Sequence, residues 1–205
     1  MTYNRKSLLY SMLLVIFLFV IFFFYYSLQK QDQNSIRVIA PIAIGKQLPA
    51  IEYADTVYDG AVFNGFAKSD LQLNEISVLN IWASWCTPCR AEHEILMKIK
   101  DLDIPLYGIN YRDKLENAVK FLDELGNPFT GIGFDFDGVS AITLGVYGIP
   151  ETYVIDSNAV VLKRHIGPLT TKELEEINSY SVSYTHLRAH ETREDLVCRL
   201  LVEKK

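Results

Sequence analysis

Two hydrophobic patterns divide the chain. A helix of about 20 apolar residues crosses the hydrocarbon core of a bilayer, and from Leu8 to Leu28 the chain has 21 consecutive uncharged residues. After residue 40 the apolar residues fall instead in short segments that are separated by polar residues, glycine and proline. The pattern therefore predicts one membrane segment followed by a globular domain.

The apolar segment is predicted to remain as an anchor. A cleavable signal peptide has a shorter apolar region of about 7–15 residues and small residues at its cleavage site, whereas this run ends in the sequence YYSLQ. Arg5 and Lys6 precede the run, so the positive-inside rule places the N-terminus in the cytoplasm and the rest of the chain outside. We expect residues 1–7 to be cytoplasmic, residues 8–28 to span the membrane and residues 29–40 to form a spacer.

The segments beyond the spacer alternate between strand-like and helix-like patterns. Short aliphatic runs between polar residues are typical of buried strands, and apolar residues three or four apart are typical of amphipathic helices. A β-α-β half followed by a β-β-α half predicts a three-layer α/β sandwich. The predicted strands are Ile36–Ala40, Val78–Trp82, Leu106–Asn110, Phe129–Phe134, Thr152–Ile155 and Val160–His165, and the predicted helices are Cys86–Lys100, Leu115–Leu125 and Thr171–Ser179.

Charge and cysteine content narrow the functional classes. Between residues 31 and 180 there are 12 Lys and Arg residues against 21 Asp and Glu residues. Nucleic acid is therefore not an expected partner, because its binding relies on clustered positive charge. The same region holds two cysteines, Cys86 and Cys89, which leaves no structural disulfide beside that pair.

The two cysteines form a Cys-X-X-Cys motif, in the sequence WASWCTPCRAEH from Trp82 to His93, directly after a predicted strand. A strand that hands over to a helix at Cys86 places this sulfur at the helix N-terminus, where free N–H groups and the helix dipole favour a thiolate. Because the thiolate is the attacking species in disulfide exchange, Cys86 is the candidate nucleophile. Cys89, one helical turn later, is the candidate resolving thiol.

The Cys-X-X-Cys motif also occurs in zinc sites and in haem-attachment sites. Half a zinc site would need a second pair of ligands, and the domain contains no second cysteine pair. Covalent haem attachment would need a histidine directly after the second cysteine, where the chain has Arg90. We expect neither a metal nor a cofactor.

Several motifs in order resemble those of the DsbE/CcmG family. Together with WASWCTPCRAEH they are INYRD, ELGNPF, FDFDG and LGVYGIPETYVID, the last from Leu144 to Asp156, and the resemblance covers residues 41–180. It implies a thioredoxin-like sandwich with a central mixed sheet, anchored in the inner membrane with its domain in the periplasm. It also implies a protein disulfide reductase that keeps the haem-attachment cysteines of apocytochrome c reduced, with electrons from a membrane-embedded thiol carrier.

The resemblance extends to residues that face the client. Pro150 matches the proline that follows a cis peptide bond opposite the cysteine pair in thioredoxin folds, and that bend would free the backbone of Ile149 to pair with an extended client chain. An ordinary trans proline at the start of a strand is the alternative. Trp85, next to the nucleophile, is expected to belong to the docking surface together with Thr87 and Pro88, whereas Trp82 fits the core equally well.

Glu92 and Glu151 are candidate proton carriers. Thioredoxins have a buried aspartate six residues before the first cysteine, and this chain has Asn80 there, whose amide cannot accept a proton. We hypothesise that Glu92, three residues after Cys89, or Glu151, directly after Pro150, manages the proton of Cys89. For Glu92 a solvated helix face with Glu94 and Lys98 is the alternative.

Two further segments each have two alternative interpretations. Asp135 and Asp137 could line an acidic groove or form an ordinary polar turn. Residues 181–205 resemble a translated sequencing adapter and are expected to make few contacts with the domain, although an amphipathic helix around Glu191–Leu201 with an odd thiol at Cys198 is the alternative. Other thiol clients, and a binding module without turnover, remain alternative functions.

Overall fold

The computed structural model describes residues 5–29, 42 and 44–183, and the chain divides into two units, Met1–Val38 and Ile39–Lys205. The described residues of the first unit form helix α1 (Arg5–Gln29). Its described side chains, from Leu9 to Tyr26, are all exposed, as expected for a helix that is apolar on every side. By length and composition α1 could cross a membrane.

The second unit is built on a five-stranded mixed sheet in the order β5-β4-β3-β6-β7. Strands β3, β4 and β5 are parallel neighbours, while β6 runs antiparallel to both β3 and β7. A separate antiparallel hairpin precedes the sheet. The elements are β1 (Thr56–Tyr58), β2 (Ala61–Phe63), α2 (Lys68–Leu71), β3 (Ile76–Trp82), α3 (Thr87–Asp101), β4 (Leu106–Tyr111), α4 (Leu115–Leu125), β5 (Gly131–Asp135), α5 (Val139–Thr143), β6 (Glu151–Asp156), β7 (Val161–Ile166) and α6, residues 171–183.

Strand β3 is buried along its whole length because helices cover both faces of the sheet. On one face Leu96 of α3, Phe121 of α4 and Ile177 of α6 form a core with alternate residues of β3, and Trp82 belongs to this core. On the other face a second core includes Leu71 of α2. Side chains alternate along a strand, so each face of the sheet contributes its own set of residues.

These layers confirm the predicted thioredoxin-like sandwich with a mixed sheet. The predicted helices and sheet strands are present with ends shifted by four residues or fewer. The sequence patterns do not predict α2, α5 or the hairpin. The hairpin turn uses Asp59 and Gly60, both with positive φ (48° and 80°), as a tight hairpin turn requires. The predicted strand Ile36–Ala40 and residues 184–205, with Cys198, lie outside the described residues.

Candidate active site

The cysteine pair begins α3. Cys86 is the N-cap residue of the helix, and its Sγ accepts a hydrogen bond from the backbone N of Cys89 at 3.2 Å. The two sulfurs form a disulfide. Thr87 and Pro88 stand in the first helical turn, where a proline is tolerated because the N–H it lacks would have no partner in the helix. Both cysteines are buried, whereas Trp85, Thr87 and Pro88 are exposed around them.

The loop before the pair is held by the turn that follows β4. Asp113 accepts hydrogen bonds from Ser84, and the indole Nε1 of Trp85 donates to the carbonyl oxygen of Arg112 at 3.1 Å. The motif INYRD contains this turn, but no role was predicted for its carboxylate. The available signal was a carboxylate two residues after a parallel strand, because the C-terminal ends of neighbouring parallel strands meet at one edge of the sheet.

Glu92 lies inside the domain and not on a solvated helix face. Its side chain is fully buried one turn after Cys89. Oε1 accepts a hydrogen bond from Asn80 Nδ2 at 2.9 Å, and Oε2 accepts one from the backbone N of Leu169 at 2.8 Å. Burial raises the pKa of Glu92 to about 7, although both hydrogen bonds favour the carboxylate and oppose the rise.

Asn80 links Glu92 to the next strand. Its Nδ2 also donates to Thr152 Oγ1 on β6 at 3.0 Å, and the two residues are direct partners in the register of β3 and β6. Asn80 is fully buried, and its Oδ1 has no hydrogen-bond partner among the described residues. The network that supports Glu92 is therefore built from an amide, a hydroxyl and a backbone N–H.

Glu151 faces the opposite side of the sheet. It pairs with Ile81 on β3, one residue out of phase with the Asn80–Thr152 pair, and side chains alternate between faces. Its buried carboxylate accepts hydrogen bonds from Arg164 Nε and Tyr153 OH. We therefore correct the expectation that Glu151 lies near the disulfide: strand alternation turns it away from the face that carries α3.

Pro150 stands where the sheet register brings it close to the end of β3. The residue after it, Glu151, pairs with Ile81, so the turn before β6 lies at the same edge of the sheet as the loop after β3. The peptide bond between Ile149 and Pro150 is cis, as the sequence analysis expected. Pro150 is buried and Ile149 half-buried.

The FDFDG segment forms a turn and not an acidic groove at Asp135. The buried Asp135 carboxylate accepts hydrogen bonds from the backbone N of Ser140 at 3.1 Å and of Ala141 at 2.9 Å. Asp137 is exposed and accepts one from the backbone N of Val139. Both carboxylates thus satisfy the free N–H groups at the start of α5.

His93 and His165, for which the sequence predicts no role, both have hydrogen-bonding neighbours. His93 is buried, its Nε2 donates to the carbonyl oxygen of Gly126 at 2.8 Å, and burial lowers its pKa. His165 lies near the carbonyl oxygen of Pro168. In the part of the chain that the structure describes, no three His, Cys, Asp or Glu side chains are placed to hold a metal ion.

Comparison with known proteins agrees with this geometry. The Redoxin family profile matches residues 44–180. The thiol:disulfide interchange protein HelX of Rhodobacter capsulatus is 36% identical over 157 residues, which cover 74% of this chain and 85% of HelX. The thiol:disulfide interchange protein DsbE of Vibrio cholerae is 35% identical over 140 residues, 66% of this chain and 71% of that protein.

The chain belongs to the DsbE/CcmG family of Redoxin proteins. A crystal structure assigned to a DsbE protein of Chlorobium tepidum superposes with a TM-score of 0.55 at 26% identity and covers 70% of this chain and 98% of that one. As a DsbE-family member the protein is a thiol:disulfide oxidoreductase. Cys86 and Cys89 form a disulfide, and the buried Glu92 lies one helical turn after Cys89.

Proposed function

We propose that this DsbE-family protein is a periplasmic reductase, tethered to the inner membrane by α1, that reduces the haem-attachment cysteines of apocytochrome c. The observation that carries the proposal is the Cys86–Cys89 pair at the start of α3, with a buried carboxylate one turn away. The family motifs support the choice of client, and the length and composition of α1 support the tether.

The reaction follows thiol–disulfide exchange. The Cys86 thiolate attacks one sulfur of the client disulfide, a mixed disulfide forms, and one client cysteine leaves as a thiolate. The Cys89 thiolate then attacks Cys86 Sγ, the mixed disulfide breaks and the second client cysteine leaves. Two electrons pass to the client and the protein is left with the disulfide that the structure contains, which a membrane-embedded thiol carrier reduces again.

Glu92 is the proposed proton acceptor for Cys89. The resolving thiol is buried and must lose its proton before it attacks, and a general base works best with a pKa near the working pH. The pKa of Glu92 is raised to about 7 by burial. Because no cation balances it within its hydrogen-bond network, the carboxylate can take up a proton without breaking an ion pair.

The client is proposed to dock around the exposed Trp85, Thr87 and Pro88 and to lie along Ile149 and Pro150. An extended chain can add to a sheet through main-chain hydrogen bonds, and the half-buried Ile149 precedes β6 at the edge where β3 ends. Other periplasmic thiol clients would use the same surface. A binding module without turnover would need the surface but not the cysteines.

Cysteine variants test these alternatives. Cys86→Ser should abolish reduction of a disulfide-bonded peptide that carries the Cys-X-X-Cys-His motif, and Cys89→Ser should accumulate a mixed disulfide with it, seen by mass spectrometry. Cys198→Ser is the matched control and should react like the wild type. If cytochrome c maturation survives at full level with Cys86→Ser in cells, the reductase proposal fails. Equal rates with unrelated disulfide peptides would favour a general thiol reductase.

A further inference from the structure

A buried carboxylate in the turn after β4 accepts hydrogen bonds from the loop that precedes Cys86. Asp113 is 9% exposed, and it accepts hydrogen bonds from the backbone N of Ser84 at 2.6 Å and from the Ser84 hydroxyl at 2.9 Å. Asn110 Nδ2 and the backbone N of Lys114 donate to it at 3.1 and 2.8 Å. Two of the four donors therefore lie two residues before Cys86, and the other two fix the carboxylate to the end of β4 and the start of α4.

The residue before Asp113 holds the tryptophan next to the nucleophile. Arg112 has a left-handed backbone conformation with a φ of 45°, which is unfavourable for a residue that is not glycine and is often retained at functional sites. Its carbonyl oxygen accepts the hydrogen bond from Trp85 Nε1 at 3.1 Å. Trp85 is nevertheless 57% exposed, so this bond fixes an aromatic ring that core packing leaves largely free.

The side chain of Arg112 extends the connection to a third loop. Its Nε donates to the carbonyl oxygen of Asp137 at 3.2 Å, and its guanidinium lies over the ring of Tyr111 with the carbon 5.5 Å from the ring centre. The loops that follow β3, β4 and β5 are thus joined through one turn. None of these contacts uses the side chain of either cysteine.

We infer that Asp113 and Arg112 are positioning residues that hold Trp85 as a fixed wall for the client chain beside Cys86. A ring that is already ordered loses little conformational freedom when the client binds, and preorganisation of this kind increases affinity. The inference rests on the proposed function, because it deepens the account of how the reductase binds its client. It assigns the effect to client binding and not to the chemistry of the sulfurs.

The main test is Asp113→Asn. An amide offers one acceptor oxygen and turns an NH2 group toward donors that the carboxylate had satisfied, so the backbone N–H of either Ser84 or Lys114 loses its acceptor. We expect the KM for the disulfide peptide to rise about tenfold, which corresponds to about 1.4 kcal/mol, while kcat stays within twofold of the wild type. Lys114→Ala changes a charge on the same turn but keeps the backbone N–H, and it should leave KM unchanged.

Two further readouts distinguish positioning from a general structural role. The chain has two tryptophans, so the two indole N–H signals in an NMR spectrum can be assigned with Trp85→Phe, and Asp113→Asn should speed solvent exchange of the Trp85 signal but not of the Trp82 signal. In a Trp85→Ala background, Asp113→Asn should raise KM no further. Ser84→Ala, which removes the hydroxyl alone, should give a smaller rise in KM. It replaces Asp113→Asn as the test variant if Asp113→Asn does not fold.

The outcomes separate this inference from the function on which it rests. A wild-type protein that does not reduce the haem-motif peptide contradicts the proposed client, and the KM comparison then uses an unrelated disulfide peptide. The inference is overturned if a folded Asp113→Asn variant, or Ser84→Ala in its place, keeps wild-type KM and Trp85 exchange. It is equally overturned if Asp113→Asn has the same effect with and without Trp85, or if its whole effect is on kcat.

Discussion

Two carboxylates are fully buried on opposite faces of the same pair of strands, and their surroundings differ in charge. Glu92 is held by Asn80 Nδ2 and the backbone N of Leu169, which are neutral donors. Glu151 is held by Arg164 and Tyr153, and Arg164 Nη2 reaches on to the carbonyl oxygen of Gly145 at 3.4 Å. Only the second carboxylate has a cation in its network.

The difference distinguishes the proposed proton acceptor, Glu92, from a carboxylate that is held in an ion pair. Burial without a cation penalises the ionised form, and the pKa of Glu92 rises to about 7 for that reason. On the other face of the sheet the Glu151 carboxylate forms an ion pair with Arg164, and the hydrogen bond to Glu151 raises the pKa of Arg164. The two buried carboxylates are therefore not equivalent candidates for proton transfer, and the neighbouring cation distinguishes them.

The largest effect is expected from Arg164→Met. This change leaves the Glu151 carboxylate buried without its cation, and breaking a buried pair in this way costs about 3–5 kcal/mol of unfolding free energy. Urea unfolding of the oxidised protein at pH 7 measures the loss. The double variant with Glu151→Met removes both charges and should recover most of it, because well-packed apolar residues often replace a buried pair without loss.

Lys163 on the same strand supplies the matched control for Arg164. Its ion pair with Glu176 is more exposed, with 41% of the Glu176 side chain accessible against none of Glu151. Exposed pairs contribute about 0–1 kcal/mol, so Lys163→Met should cost little. Similar losses for the two single variants would show that Glu151 and Arg164 do not form a stabilising buried pair.

The second effect is a pH dependence that belongs to Glu92. Its pKa of about 7 in the folded protein lies above its ordinary value of 4.5, so the folded state binds the proton more tightly. The resulting stabilisation is complete below pH 4.5 and is lost as the pH rises through about 7. Relative to Glu92→Gln, the wild type should lose about 2 to 3 kcal/mol of unfolding free energy between pH 5 and pH 8.5.

Glu94 provides the comparison for the Glu92 variant, because it is an exposed carboxylate two residues later on the same helix, paired with Lys98. Glu94→Gln should keep the wild-type slope of stability against pH over this range. Parallel slopes for the wild type and Glu92→Gln would mean that Glu92 does not titrate there. The proposed proton transfer from Cys89 would then have no acceptor of suitable pKa.

The same comparison shows what the sequence could predict. Helical spacing placed Glu92 one turn after Cys89 on the helix that the motif begins, and the structure bears out that relation. Glu151 was misplaced because its position after Pro150 fixes its place along β6 but not its face. The face depends on the register of β6 against β3, which pairs Thr152 with Asn80 and which no local pattern reveals.

The remaining omissions have two physical origins. The sheet strands and helices α3, α4 and α6 carry apolar patterns, and the sequence predicted them, whereas α2 and α5 have only 4 and 5 residues. Strands β1 and β2 have three residues each and contain no buried residue, so they show almost no hydrophobic pattern. Asp113 meets Ser84 only because β3 and β4 are parallel neighbours, and a contact of this kind follows from topology.

The smallest expected effect tests how the neutral network is oriented. Thr152 Oγ1 accepts from Asn80 Nδ2, which also donates to Glu92, so the hydroxyl helps keep the amide turned with its donor toward the carboxylate. Thr152→Val removes that acceptor at nearly constant volume and should lower the free energy of unfolding by about 1 kcal/mol.

The same variant should change the pKa of Glu92. The Asn80 hydrogen bond opposes the rise in this pKa, so an amide that is held less firmly should let the pKa rise further by a few tenths. This rise corresponds to the roughly 0.5 kcal/mol by which the energies of such hydrogen bonds vary. Carbon-13 NMR titration of the Glu92 carboxyl group measures the shift, and Thr143→Val, on the exposed side of α5, should leave it unchanged. A downward shift would contradict this account, because it would mean that Asn80 Nδ2 donates more strongly to the Glu92 carboxylate once the hydroxyl is gone.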